Sequence, residues 1–97
     1  MDVLQKLRRD VLWYAFAQVP DGWVVVCMIQ DYADTPEVWE VSRSFARTSA
    51  LEQHADPDTI IWVRVDALNA DQAWSVQSYW RVEMGLSDAP TTTEERY

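Results

Sequence analysis

The sequence predicts an α+β fold: a four-stranded, largely antiparallel sheet with elements in the order α-β-β-β-α-β-α and the C-terminal helix packed on one sheet face. Three observations predict it. Two apolar runs, Leu12 to Val19 and Trp23 to Gln30, are separated by Pro20-Asp21-Gly22. The stretch Ile60 to Val65 is β-branched or aromatic at every position but Arg64, and Asn69-x-x-Gln72 opens a segment of three- and four-residue apolar spacing that stops at Gly85.

Pro20 presets φ for the second position of a type I turn, Asp21 accepts hydrogen bonds from neighbouring backbone, and Gly22 can take the left-handed conformation of a bulged three-residue loop. Such a loop sets Val19 opposite Trp23 and pairs Ala17 with Val25, Ala15 with Cys27 and Trp13 with Ile29. Alternation then gives one face Trp13, Ala15, Ala17, Val25, Cys27 and Ile29. The other carries Leu12, Tyr14, Phe16, Val24, Val26 and Met28. The first face is small in its middle, so a helix can approach closely, and the C-terminal helix is expected on Ala15, Ala17 and Cys27. The second is bulkier and almost as apolar, and needs a cover or a partner.

The remaining elements follow in order. Residues 2–9 read as a short helix with Asp2 as cap and Val3, Leu4 and Leu7 on one stripe. Asp31 to Pro36 is turn chemistry. Val38 to Phe45 satisfies two periods. Thr35-Pro36-Glu37 is a helix start that puts Val38, Val41 and Phe45 on one face. Read as a strand, Trp39, Val41 and Phe45 alternate with Glu40, Ser42 and Ser44 and shield an edge of the hairpin. The strand is preferred and completes the count of four. Ser49-Ala50-Leu51-Glu52 matches a capping box, which predicts a short helix from Ala50 to Ala55 ended by Asp56-Pro57. Ile60 to Val65 is the last strand. The final helix, capped by Asn69 and Gln72, turns Ala73, Trp74, Gln77, Trp80 and Met84 inward. Residues 1–86 thus form one domain, and 87–97, with Ser87, Pro90 and three threonines, read as a mobile tail.

The net charge of −8 sits mainly in the body: residues 11–84 hold eleven acidic and four basic side chains. Such a field repels nucleic-acid phosphates and anionic lipid and attracts basic proteins. Direct nucleic-acid binding and membrane binding are therefore not expected. The apolar runs are cut by Pro20-Asp21-Gly22 well short of a membrane span. With one cysteine, Cys27, no internal disulfide can form, which fits a reducing, cytoplasmic setting.

Chemistry has little material. Two glycines leave no phosphate-cradling loop, and neither GxGxxG, a Walker loop nor GxSxG occurs. No metal-type spacing accompanies His54, the single histidine, so no metal and no cofactor are expected. Carboxylates such as Asp31 with Asp34 lie in turn-rich sequence, where acids are solvated and lack the desolvated cleft that acid–base catalysis needs. An enzyme is not expected.

Two features point instead to binding. Asp31, Asp34, Glu37 and Glu40 recur every three residues, an acidic rim suited to a Lys/Arg-rich surface. Six tryptophans are more than a core of this size can bury, and exposed aromatics anchor interfaces. If Ile61, Val63 and Val65 face inward, Trp62 and Arg64 join Tyr14, Phe16 and Met28, and Tyr14 with Trp62 becomes the anchoring patch. The expectation is a non-enzymatic interaction module that docks on a basic, nucleic-acid-binding surface of another protein. A small inhibitor of the phage or plasmid anti-defence kind fits that composition. The alternative is a homo-oligomer, such as a homodimer, whose aromatic sheet face is its subunit interface.

Overall fold

In a computed structural model that describes residues 10–83 and 85, the hairpin forms from two nine-residue strands, β1 (Val11–Val19) and β2 (Gly22–Gln30). Val19 faces Gly22 directly, so the loop is Pro20-Asp21 alone. The expected pairs Val19–Trp23 and Ala17–Val25 are replaced by Gln18–Trp23 and Ala17–Val24. Gly22 permits the tight closure because it enters the ladder at φ 157, where a side chain is disfavoured.

The register recovers at a bulge. Between Phe16–Val25 and Ala15–Cys27, β2 carries one extra residue, Val26, after which Ala15–Cys27 and Trp13–Ile29 pair as expected. A bulge breaks strict alternation. Val26 and Cys27 therefore both join Ala15 and Ala17, while Val25 joins Tyr14 and Phe16 on the opposite face. Alternation alone assigns Val24, Val25 and Val26 to the wrong sides.

Among the described residues the sheet has three strands, not four. The region expected as a strand from Val38 to Phe45 is the first part of a helix, α1 (Pro36–Glu52). The Oγ1 of Thr35 accepts the Val38 N–H at 3.3 Å, with Pro36 and Glu37 in the first turn. The opposite face decides the contest between periods: Ala46 and Ala50 are fully buried against the alanines of β1. Small side chains on both partners allow close approach, which a strand from Val38 to Phe45 could not use. Ser49-Ala50-Leu51-Glu52, expected to open a separate helix, is instead the last turn of α1.

That turn closes on His54, whose φ of 59 is left-handed. The His54 N–H reaches the Leu51 carbonyl at 3.1 Å and the Ala55 N–H reaches Ala50 at 2.8 Å, the paired bonds of a Schellman motif. Ala55 then packs beside Ala50 in the same cluster. The chain enters β3 (Asp56–Arg64), which pairs antiparallel with β1 through Tyr14–Val63, Ala15–Trp62 and Phe16–Ile61. The strand order is β2-β1-β3.

A single-turn 3-10 helix, Val65–Ala67, leads to α2 (Ala70–Glu83). The expected capping box forms in both directions: Gln72 N–H to Asn69 Oδ1 at 2.8 Å, and Asn69 N–H to Gln72 Oε1 at 2.9 Å. Past the helix, Gly85 takes φ 74 and donates to the Val82 carbonyl at 3.0 Å. α2 covers the bulky face, not the alanine face. Its Trp80 is buried among Val11, Tyr14, Phe16 and Val25, with Val76 and Tyr79 beside it. Volume explains the exchange, since the helix with small residues fills the shallow side and the helix with large ones fills the deep side. Of the expected inward stripe, Trp80 is buried, Ala73 half-buried, and Trp74 and Gln77 exposed.

The architecture is thus α+β, one helix on each face of a three-stranded antiparallel sheet. No helix among the described residues is long and apolar enough to cross a membrane. The helix expected at 2–9, the side chain of Met84 and the tail expected at 87–97 lie outside the described residues.

Candidate functional site

The acidic stretch begins in a 3-10 turn, Asp31–Ala33, and runs into the first turns of α1, leaving Asp31, Asp34, Glu37 and Glu40 all exposed. Asp34 is already engaged. Its Oδ1 accepts the Trp39 indole N–H at 2.6 Å and its Oδ2 accepts that of Trp13 at 3.3 Å. The Trp13 and Trp39 rings meet edge to face at 5.3 Å between centroids, and Trp39 meets Trp62 at 4.7 Å. The guanidinium of Arg64 lies 5.8 Å from the Trp13 ring centre and that of Arg43 lies 6.0 Å from Trp39, within cation–π range. This half-buried cluster ties the start of α1 to β1 and β3.

Trp62 therefore belongs to the alanine side of the sheet, packed against the cluster around Ala15. Tyr14 is on the other side, 2% exposed, with its hydroxyl accepting the Trp80 indole N–H at 3.0 Å. The two residues expected to form one patch lie on opposite faces, and Val63, not Trp62, accompanies Tyr14. The expected parity of β3 is inverted because Ala15, not a residue of the bulky face, pairs with Trp62.

Acid and exposed aromatic surface meet elsewhere. A groove of about 800 Å³ runs between β2, an edge strand, and α2. Trp23, Val25 and Tyr79 line it, and on α2 Trp74 and Val82 stand 69% and 66% exposed. Among the described residues its charged lining side chains are Asp21, Asp71 and Glu83, all acidic. Side chains hold the strand carbonyls beside it. Ser75 Oγ donates to the Trp23 carbonyl at 3.0 Å, and Gln53 Nε2 donates to that of Val25 at 3.1 Å. Two outward carbonyls of β2 are thereby taken up by Ser75 of α2 and by Gln53 just past α1, so at these two positions a ligand in the groove meets side chains and not free strand. Trp74 was within reach of the sequence: at 100° per residue it lies about 120° around the helix from Trp80, off the buried stripe.

Reactive groups are sparse. Burial pushes the Cys27 thiol above its ordinary range, and burial together with the Glu83 carboxylate does the same for the Tyr79 hydroxyl. Exposed His54 serves as the left-handed stop of α1, while Cys27 is buried on the sheet. Among the described residues no three His, Cys, Asp or Glu side chains gather closely enough to share a metal ion. No family model, curated protein or solved structure matches this chain.

Proposed function

We propose that this protein is a non-enzymatic interaction module that docks on a basic surface of a partner protein through the groove between β2 and α2. The carrying observation is chemical: Trp74 stands exposed in a groove whose charged lining side chains among the described residues, Asp21, Asp71 and Glu83, are all acidic. A large flat ring supplies contact area at low entropic cost, and unopposed carboxylates select lysine and arginine. Asp31, Glu37 and Glu40 add to the same negative field from the start of α1 and steer a basic surface at a distance. Such a surface is of the kind that otherwise holds nucleic acid, which suits a small inhibitor. The buried free Cys27 fits a reducing cytoplasm.

Binding of an immobilised Lys/Arg-rich peptide, followed by surface plasmon resonance, tests the groove. Asp71→Lys with Glu83→Lys should slow association and flatten its salt dependence, whereas Trp74→Ala should raise the dissociation rate. Variants that bind like the parent would remove the groove from the function. The alternative is a homo-oligomer. Both sheet faces carry a helix, so a subunit contact falls to an edge or to the outer side of α1, where Val41 and Phe45 are exposed.

A further inference from the structure

The two edges of the sheet are finished differently. Along β2, the Trp23 and Val25 carbonyls are held by Ser75 and Gln53. Along the first half of β3, Arg47 Nη1 donates to the Pro57 carbonyl at 3.3 Å. Beyond it, Ile60-Ile61-Trp62-Val63-Arg64 carries no proline and no lysine, and among the described residues no side chain is hydrogen-bonded to its backbone. Those are the devices by which edges are usually closed to another strand. Ile61 is 39% exposed on this edge.

We propose that two copies of the chain pair antiparallel along the Ile60–Arg64 edge of β3, with Ile61 on the twofold axis, joining two three-stranded sheets into one. Charge fixes the register. In an isologous antiparallel pair centred on one residue, positions equally distant on either side face each other. Centring on Ile61 sets Trp62 opposite Ile60 of the second copy, twice, and faces the Arg64 side chain to that of Asp58, twice. The Asp58 N–H is held by Asp56 Oδ1 at 2.9 Å, so this outer contact is one between side chains. Opposite charges and aromatic–β-branched pairs are the favourable cross-strand combinations. Centring on Ile60 would give Arg64 another acid, Asp56, but puts Asp58, whose N–H is held by Asp56 Oδ1, opposite Trp62 in the middle of the ladder. Centring on Trp62 leaves Arg64 against Ile60.

Each charge has exposed partners in its own chain, and Arg64 also lies 5.8 Å from the Trp13 ring centre. Arg64 meets Asp66 at 3.3 Å and Asp58 meets Arg47 at 3.5 Å, both as exposed surface pairs that can regroup at little cost. The contact is independent of the groove, which lies at the opposite edge of the sheet.

Sedimentation equilibrium of the full chain should show a mass rising with concentration from 11.3 kDa toward twice that value. Arg64→Asp should weaken association by about tenfold or more, since it opposes like charges twice, and adding Asp58→Arg should restore it. In a Cys27→Ala background, mild oxidation should cross-link Ile61→Cys into a dimer. Val65→Cys should stay uncross-linked, because the register holds the two positions on the order of 25 Å apart. A mass fixed at the monomer value at every concentration would overturn the proposal. So would equal cross-linking of the two cysteine variants, or a dimer indifferent to both charge changes.

Discussion

Trp80 of α2 gives its indole N–H to the hydroxyl of Tyr14 on β1 at 3.0 Å, with both side chains buried. This bond joins the C-terminal helix to the central strand across the bulky face. A buried donor left without an acceptor costs its full desolvation penalty. Tyr14→Phe should therefore destabilise the protein by about 1–3 kcal/mol, read as a lower urea midpoint. Adding Trp80→Phe should cost less than the two single changes together, because the pair is coupled. A Tyr14→Phe midpoint equal to the parent's would mean that the indole finds another acceptor.

Asp34 holds two indoles with one carboxylate, so Asp34→Ala frees both N–H groups at once. The site is exposed and water can partly replace the lost acceptor. The expected loss is about 1 kcal/mol, and Asp34→Asn, which keeps one acceptor oxygen, should fall between. Thermal melting checks both. If Asp34→Ala melts like the parent, the carboxylate plays no part in seating α1.

His54 holds a left-handed backbone at φ 59, a conformation that disfavours a side chain. Glycine there removes the steric cost and keeps the Schellman bonds of His54 and Ala55. Allowing for the extra freedom glycine gives the unfolded chain, His54→Gly should stabilise by roughly 0.5–1 kcal/mol. Destabilisation would indicate that the imidazole makes a contact worth more than the strain.

Alkaline pH should weaken the fold. Burial raises Cys27 above its ordinary 9.0, and burial with Glu83 raises Tyr79 above 10.0. A raised acid binds its proton more tightly when folded, so its contribution is complete below the unfolded pKa and is lost as pH climbs through the folded one. Urea midpoints should fall from about pH 9 upward, and Cys27→Ala should remove the earlier part of that fall. A Cys27→Ala profile superimposable on the parent's would assign the whole loss to tyrosine.

Elements specified by local chemistry were legible in the sequence. Pro20, Asp21 and Gly22 mark the turn, the β-branched run marks β3, and the reciprocal bonds of Asn69 and Gln72 are written in two residues three apart. α1 was not, because Val41 and Phe45 fit both a helical and a strand period. The choice rests on Ala46 and Ala50 meeting Ala15 and Ala17 from a distant strand. The bulge was hidden for a different reason: within Val24-Val25-Val26 three identical side chains give no hint which is extra. That single residue sends Val25 to the face of Tyr14. The assignment of Trp62 failed through register with β1, which β3's own composition does not encode. Of the acidic residues singled out, Asp34 proved to be bonded internally, and the carboxylates that accompany an exposed tryptophan are Asp21, Asp71 and Glu83.

The three edge-to-face indoles also give the molecule a built-in optical gauge. Trp13, Trp39 and Trp62 come from β1, α1 and β3, with ring centres 5.3 and 4.7 Å apart, close enough for their electronic transitions to couple. Circular dichroism in the indole bands then reports whether that helix is seated on the sheet, separately from the backbone signal. Trp74, far out on α2, contributes an uncoupled, solvent-sensitive emission. One unlabelled sample can thus distinguish an event at the groove from loosening of the opposite layer.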